Sequence, residues 1–368
     1  MFKKYKIFKW ILISFGSIII SLFIFGWWFM GLIPSSENRK DITSTQISDL
    51  PYLSKNKIDK RGKILAIVTS TDVMGNTEKS TGYELTELSR AYYVFQANGF
   101  DIDIASPLGG EPPVVIDAED MGEFDYAFLN DSVAQLKVKH TIPVDKIDPD
   151  LYEAVFFAGG KGAMFDFPDN KSIQAIVRNL YENDKVVGAV CHGPAALVNV
   201  TLNTGKHLLE NKKVSGFTNA EELLLISDAK TIFPFLLQDK LVDQGGVFNE
   251  GTMYLENISK DKNLITGQNP WSTWVLAESM ITELGYKPKF RKVTGEENAV
   301  KVLKTYHEQG SEKARGLIDQ MYTKDKQPMS RVLIAKHGII AAMQGKIGRF
   351  ISLTSLTSYA KKKSKENS

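Results

Sequence analysis

The chain has 368 residues, 43% of them hydrophobic and 24% charged, with a formal net charge of +2. At roughly 100–200 residues per domain that is long for one domain and short for three, and the near-neutral balance, with no basic motif, gives no reason to expect a nucleic-acid partner. One cysteine excludes an intrachain disulfide and a thiolate-rich zinc centre, and none of the five histidines forms a His-x-x-x-His pair or an HExxH motif, so no metal is expected.

The N-terminus carries the first physical signal. From Trp10 to Ile33, 24 positions, there is no charged residue, against the roughly 20 needed to span a bilayer. Trp27 and Trp28 lie near its far end, where amphipathic rings favour the headgroup level. Lys3, Lys4, Lys6 and Lys9 precede the run, and Arg39 and Lys40 follow at lower density. The expectation is a single-pass cell-membrane anchor over residues 1–34, its N-terminus cytoplasmic and the rest of the chain extracytoplasmic. The length of the run and the lack of an A-x-A site argue against a cleaved signal peptide. The lack of a polar face argues against a buried core helix.

Residues 35–60 are polar and read as a tether. A different regime begins at Lys63. Residues 63–69 (KILAIVT) form a short β-branched run suited to a buried strand. Residues 83–98 have helical spacing and end at Gly99, and residues 100–105 (FDIDIA) alternate as a strand does. The stretch 111–150 is acidic and irregular, a lid or a surface insertion. Residues 154–158 (AVFFA) and 186–190 (VVGAV) read as buried strands, 172–183 and 193–200 as helices, 264–266 as a strand and 272–284 as a helix. Strands alternating with helices predict an α/β domain over 61–286, flavodoxin-like and doubly wound, with a mostly parallel sheet. Residues 287–368 read as a helical, basic C-terminal extension. Within it 298–321 form one or two polar helices. Residues 331–351 would set Leu333, Ile340, Met343, Ile347 and Phe350 on one face, and Lys361, Lys362, Lys363 and Lys365 form a basic tail.

The segment 186–197, VVGAVCHGPAAL, carries the chemistry. A buried strand runs into a turn of small residues and then a helix, the architecture of a nucleophile elbow. Gly193 allows close backbone approach, and Pro194 suits a first helical turn. A helix N-terminus beside Cys191 would lower its pKa and favour an exposed, oxidation-prone thiolate. A lone cysteine is commonly buried and inert, but the adjacent His192 and the strand–turn–helix setting favour a nucleophile. Gly159-Gly160-Lys161-Gly162 lacks the spacing and terminal Ser/Thr of a P-loop, and no GxGxxG follows a strand.

At AVCHGPAAL the sequence resembles the nucleophile segment of the PfpI superfamily, which includes the parkinsonism-associated deglycase and shares the class I glutamine amidotransferase-like fold. The resemblance runs from about Lys63 to Leu284. It is nearest the branch of glutathione-independent glyoxalases (glyoxalase III) that double as holding chaperones. The supporting segments, in order, are TSTD at 69–72, KSTG at 79–82, AGGKGAMFDFP at 158–168, SGFTNAEE at 215–222 and TGQNP at 266–270.

The resemblance implies a Cys-His-Glu triad. Cys191 would be the nucleophile, His192 its proton carrier, and Glu222 the carboxylate orienting the histidine, with Glu221 as the alternative register. Glu87 matches a carboxyl held protonated against the sulfur. The N–H groups of Gly160 and His192 would form an oxyanion hole. Taken alone, Glu87 reads as a solvated helix residue and Glu222 as a helix-start carboxylate. The implied activity is that of a cofactor-independent glyoxalase III-like lyase (hydro-lyase) turning 2-oxoaldehydes such as methylglyoxal into 2-hydroxy acids. Its substrate partner would be a small reactive aldehyde. Alternatives are a holding chaperone, a protein deglycase, or a peptidase or amidase of the same superfamily; for the peptidase the site depends on a particular homo-oligomer. Class I amidotransferase chemistry needs a distant His-x-Glu, which neither His207 nor His307 supplies.

Overall fold

The computed structural model describes residues 2–33, 41–54 and 58–366, and within the first helix the side chains of residues 10, 13–17, 19, 20 and 23–30. Two compact units appear: residues 41–292, and residues 1–40 together with 293–368.

The larger unit is built on a seven-stranded sheet. Its strands are β1 (Lys63–Ile67), β2 (Asp101–Ser106), β3 (Ile142–Pro143), β4 (Ala154–Phe157), β5 (Val186–Val190), β6 (Ile258–Asp261) and β7 (Leu264–Gly267). They lie in the order β6-β7-β5-β4-β1-β2-β3. All neighbours are parallel except β6, which returns antiparallel along β7. The five inner strands follow the doubly wound order 2-1-3-4-5. β4 and β5 are buried at every residue, because helices cover both faces of a parallel sheet; this is why they read as unbroken apolar runs. Between Leu85 and Glu283 the covering includes α2 (Leu85–Ala97), α3 (Glu123–Asn130), α4 (Ser132–Lys139), α5 (Lys171–Glu182), α6 (Asn219–Leu225) and α7 (Thr273–Glu283), numbered after the N-terminal α1 (Phe2–Met30).

Several expectations are corrected. The stretch 111–150 is not irregular: it holds α3, α4 and the edge strand β3. Two of its acidic residues are structural. Asp125 is buried and pairs with Arg90 at 3.0 Å, and Asp131 caps α4 by accepting from the N–H groups of Val133 and Ala134. The tether is also partly structured, since Leu50 and the short helix Pro51–Ser54 carry buried side chains into the unit; residues 35–40 and 55–57 lie outside the described residues. After Pro194 the chain makes only a 3-10 helix, Gly193–Leu197, not a helix to residue 200. The unit extends beyond 286, because buried Arg291 bridges to Glu278 at 3.3 Å and stacks on Trp274 at 3.8 Å.

In the helical unit α1 occupies the uncharged stretch, yet among the described residues no helix is long and apolar enough to cross a membrane. The C-terminal helices are α8 (Gly295–Gln309), α9 (Ser311–Asp319), α10 (Arg331–Met343) and α11 (Ile347–Glu366). The single face expected over 331–351 is broken by Gly345, at φ +69°, which turns the chain between α10 and α11. Leu333 is buried, but Met343 and Ile347 are 63% and 57% exposed. The basic tail is the last turns of α11. Phe29, Leu32 and Ala335 form a small buried cluster with Phe350 against it.

Candidate active site

The carboxyl ends of β4 and β5 bring the site together. β5 ends at Val190, and Cys191 follows with φ +59°. A side chain in that left-handed conformation is unfavourable by about 1–2 kcal/mol, so the surroundings must impose it. They do: the Cys191 N–H donates to the Gly267 carbonyl at 2.9 Å, and its carbonyl accepts from the Phe217 N–H at 2.8 Å. Gly193 is required next, because a Cβ there would lie 2.3 Å from the Phe157 carbonyl oxygen.

Cys191 Sγ lies 3.3 Å from His192 Nδ1, and His192 Nε2 lies 2.5 Å from Glu222 Oε2. The imidazole packs on the Phe217 ring, with centroids 4.6 Å apart. Burial works to raise the Glu222 carboxyl, but the charge and hydrogen bond of His192, with help from Lys161, outweigh it and hold Glu222 below its usual range. Glu222 thus stays a carboxylate suited to orienting an imidazole and stabilising an imidazolium.

Glu221 does something else. Its Oε2 accepts from the N–H and hydroxyl of Thr218, both at 3.0 Å. Its Oε1 accepts from the Tyr254 N–H at 2.6 Å and from the amides of Gln268 and Asn269 at 3.0 Å each. The adjacent glutamates therefore divide between lacing loops together and facing His192. Glu221→Ala is expected to lower stability by about 3 kcal/mol, since it leaves several buried donors unsatisfied. Glu222→Ala is expected to lower turnover by about 10²-fold or more with a near-normal melting temperature. Denaturation and turnover measured on both variants check this, and interchanged effects would reverse the assignment.

Glu87, on α2, is completely buried, and its Oε2 accepts from the Gly159 N–H at 2.6 Å. Burial pushes its carboxyl well above the ordinary range, and the nearby Glu84 adds to this. The Cys191 thiol is its neighbour and is pushed up as well, by burial first and then by Glu87. The expected exposed, low-pKa thiolate is therefore corrected. Cys191 is only 5% exposed, and a five-residue 3-10 helix supplies too little dipole to offset burial. Burial thus works against charge on both members of the pair.

Gly159 and Gly160 form the opposite wall. A Cβ on Gly159 would meet Glu87 Oε2 at 2.7 Å and the His192 nitrogen at 2.8 Å, and Gly160 sits at φ +102°. Among the described residues no carbonyl takes up the Gly160 or His192 N–H. Among the described residues no cluster of His, Cys, Asp or Glu fits a metal ion.

The structure thus brings together Cys191, His192, Glu222, Glu87 and Gly160. Sequence reasoning passed over three neighbours. Lys161 acts electrostatically on Cys191, Glu84 and Glu222 at once; its signal was a lone lysine in the Gly-rich loop. Glu84 is held up by burial to about 7, and Phe217 is the ring under His192.

The sequence profile of the DJ-1/PfpI family matches residues 79–283. The chain belongs to the DJ-1/PfpI family. Among DJ-1/PfpI relatives, glyoxalase 3 of Candida albicans is 30% identical over 234 residues, 59% of this chain and 96% of that protein. The glutathione-independent glyoxalase HSP31 of Saccharomyces cerevisiae is 29% identical over 235 residues, 60% of this chain and 97% of that protein. The crystal structure of the 24 kDa rapid encystment protein of Francisella tularensis is 36% identical, with a TM-score of 0.57, covering 61% of this chain and 99% of that one.

Proposed function

We propose that this DJ-1/PfpI chain is a glutathione-independent, cofactor-free glyoxalase that converts a small 2-oxoaldehyde into a 2-hydroxy acid on Cys191. The observation that carries the reading is the relay from Cys191 through His192 to Glu222, with the buried Glu87 beside the thiol. The relatives from Candida and Saccharomyces, both named as glyoxalases, agree with it.

The chemistry balances with water alone. Sγ attacks the aldehyde carbon as His192 takes the thiol proton and passes it to the new alkoxide, giving a hemithioacetal. Glu87 gives its proton to the neighbouring keto oxygen and takes the hydrogen from the former aldehyde carbon, leaving an enediol. It then returns that hydrogen to the second carbon and takes the proton of the hydroxyl on the first, which becomes the thioester carbonyl, so that Glu87 ends protonated as it began. Free N–H groups of Gly160 and His192 suit the oxyanion of these steps. Water cleaves the thioester, releasing the 2-hydroxy acid and restoring the thiol. The test is methylglyoxal given to the purified chain without glutathione, with lactate measured. No lactate, with the protein folded, would overturn the reading.

The same proposal has α1 anchor the chain in the cell membrane with its N-terminus cytoplasmic. Its support is the uncharged stretch from Trp10 to Ile33 and the four lysines before it. Protease added outside intact cells is expected to cleave beyond Pro34. Protection until lysis would reject the orientation.

A further inference from the structure

Within the helical unit a cavity of about 460 Å³ lies between the end of α1 and the α9 and α11 helices. None of its lining residues belongs to the site around Cys191. Phe25, Trp28, Phe350 and Ile351 give it apolar walls, Arg315 and Lys362 bring positive charge, and among the described residues no acidic one lines it. The hydroxyls of serine, threonine and tyrosine side chains complete the lining.

The two chemistries are ordered along the cavity. The Phe25 and Phe350 rings are 6.0 Å apart, and further along, Lys361 donates to the Gly31 carbonyl. α1 and α11 therefore run side by side in the same direction. The apolar end, at Phe25, Phe350 and Ile351, points toward the uncharged body of α1. The charged end, at Lys362, lies toward the end of α1, since the neighbouring Lys361 reaches the Gly31 carbonyl. Arg315 lies between them, donating to Ser355 Oγ at 2.9 Å and resting on the Tyr359 ring. An acyl chain followed by an anionic headgroup has the same order of chemistry.

A second observation points to the same ligand class. Ile339, Met343, Ile347 and Ile351 are 44%, 63%, 57% and 61% exposed. Ile339 and Met343 are spaced four apart on α10, and Ile347 and Ile351 four apart on α11, so each arm of the hairpin carries a short exposed apolar band. Trp27 and Met30 extend exposed apolar surface on α1, at 77% and 65%. Exposed apolar side chains gathered on the helices of one unit suit a partner or a membrane, and interfacial helices combine them with basic residues, here Lys346 and Arg349.

We propose that the cavity binds one anionic membrane phospholipid, its acyl chains against Phe25, Trp28 and Phe350 and its phosphate at Arg315 and Lys362. The site rests on the anchor reading, since α1 must lie in the bilayer for the lipid to enter in this orientation.

Two measurements on the full chain test this separately. Flotation with mixed phosphatidylcholine and phosphatidylglycerol vesicles reads the anchor. Native mass spectrometry of the detergent-extracted chain, with either lipid added, reads the site. One phosphatidylglycerol is expected to be retained in preference to phosphatidylcholine. The double substitution Arg315→Ala with Lys362→Ala is expected to weaken that retention by roughly 25-fold while flotation persists. Both residues are exposed, so the fold should tolerate the change. Flotation with equal retention of the two lipids, or an unaffected double variant, would overturn the site and leave the anchor standing. Competition by free glycerol 1-phosphate as strong as that by the lipid would overturn the lipid as ligand. A co-purifying protein in place of lipid would assign the apolar band to a protein partner. Failure to float would overturn the anchor, and the site with it.

Discussion

Replacing Cys191 with serine, alanine or glycine is expected to reduce turnover by roughly 10⁴-fold or more, the scale seen when a nucleophile is removed from a cooperating set. The fold should survive each change. The backbone bonds to Gly267 and Phe217 hold the elbow whatever side chain it carries. Glycine makes the sharper test. At φ +59° it relieves the left-handed strain, and its greater freedom in the unfolded chain offsets that gain. Stability within about 1 kcal/mol of wild type is therefore expected from Cys191→Gly. A folded glycine variant that still turns over substrate would end the covalent mechanism.

Glu87→Gln is expected to reduce turnover by about 10²–10⁴-fold. The amide keeps the shape and can still accept from the Gly159 N–H, but it cannot give up and recover a proton. Stability should respond in the other direction. The Glu87 carboxyl titrates near 4.5 when unfolded and well above that when folded, so the folded state holds the proton more tightly. That contribution to stability is fully present below about pH 4.5 and is lost as pH rises toward the folded value. Glutamine removes the dependence. Urea unfolding at several pH values should therefore show the wild type losing ground to Glu87→Gln as pH rises from 4 to 8. A difference that stays flat would mean the carboxyl is not held protonated, and turnover near wild type would remove it from the proton path.

Much of this was legible in sequence because burial on both faces leaves a plain mark. The runs AVFF and VVGAV have no reading other than inner strands, and the small residues after Val190 announce the turn that carries Cys191. The thiol and the three side chains around it were named from ordered motifs spread across 136 positions, from Glu87 to Glu222. What stayed hidden was set by tertiary contact. Nothing local tells that Asp125 will meet Arg90, so its acidic stretch looked irregular. Nothing local tells whether Glu221 or Glu222 faces the imidazole, which depends on how Thr218 caps α6. The thiol's ionisation was misjudged because a helix dipole can be read from spacing, whereas the depth of a side chain cannot.

The helical unit pairs the first helix of the chain with the last: Phe29 and Leu32 are covered by α10 and α11. Synthesis runs from one to the other, so α1 waits for its cover until the whole of 41–292 has been made. A product truncated anywhere before Ile347 would carry the first helix without its final partner. The C-terminal helices can therefore cover α1 only after the residues around Cys191 have been synthesised.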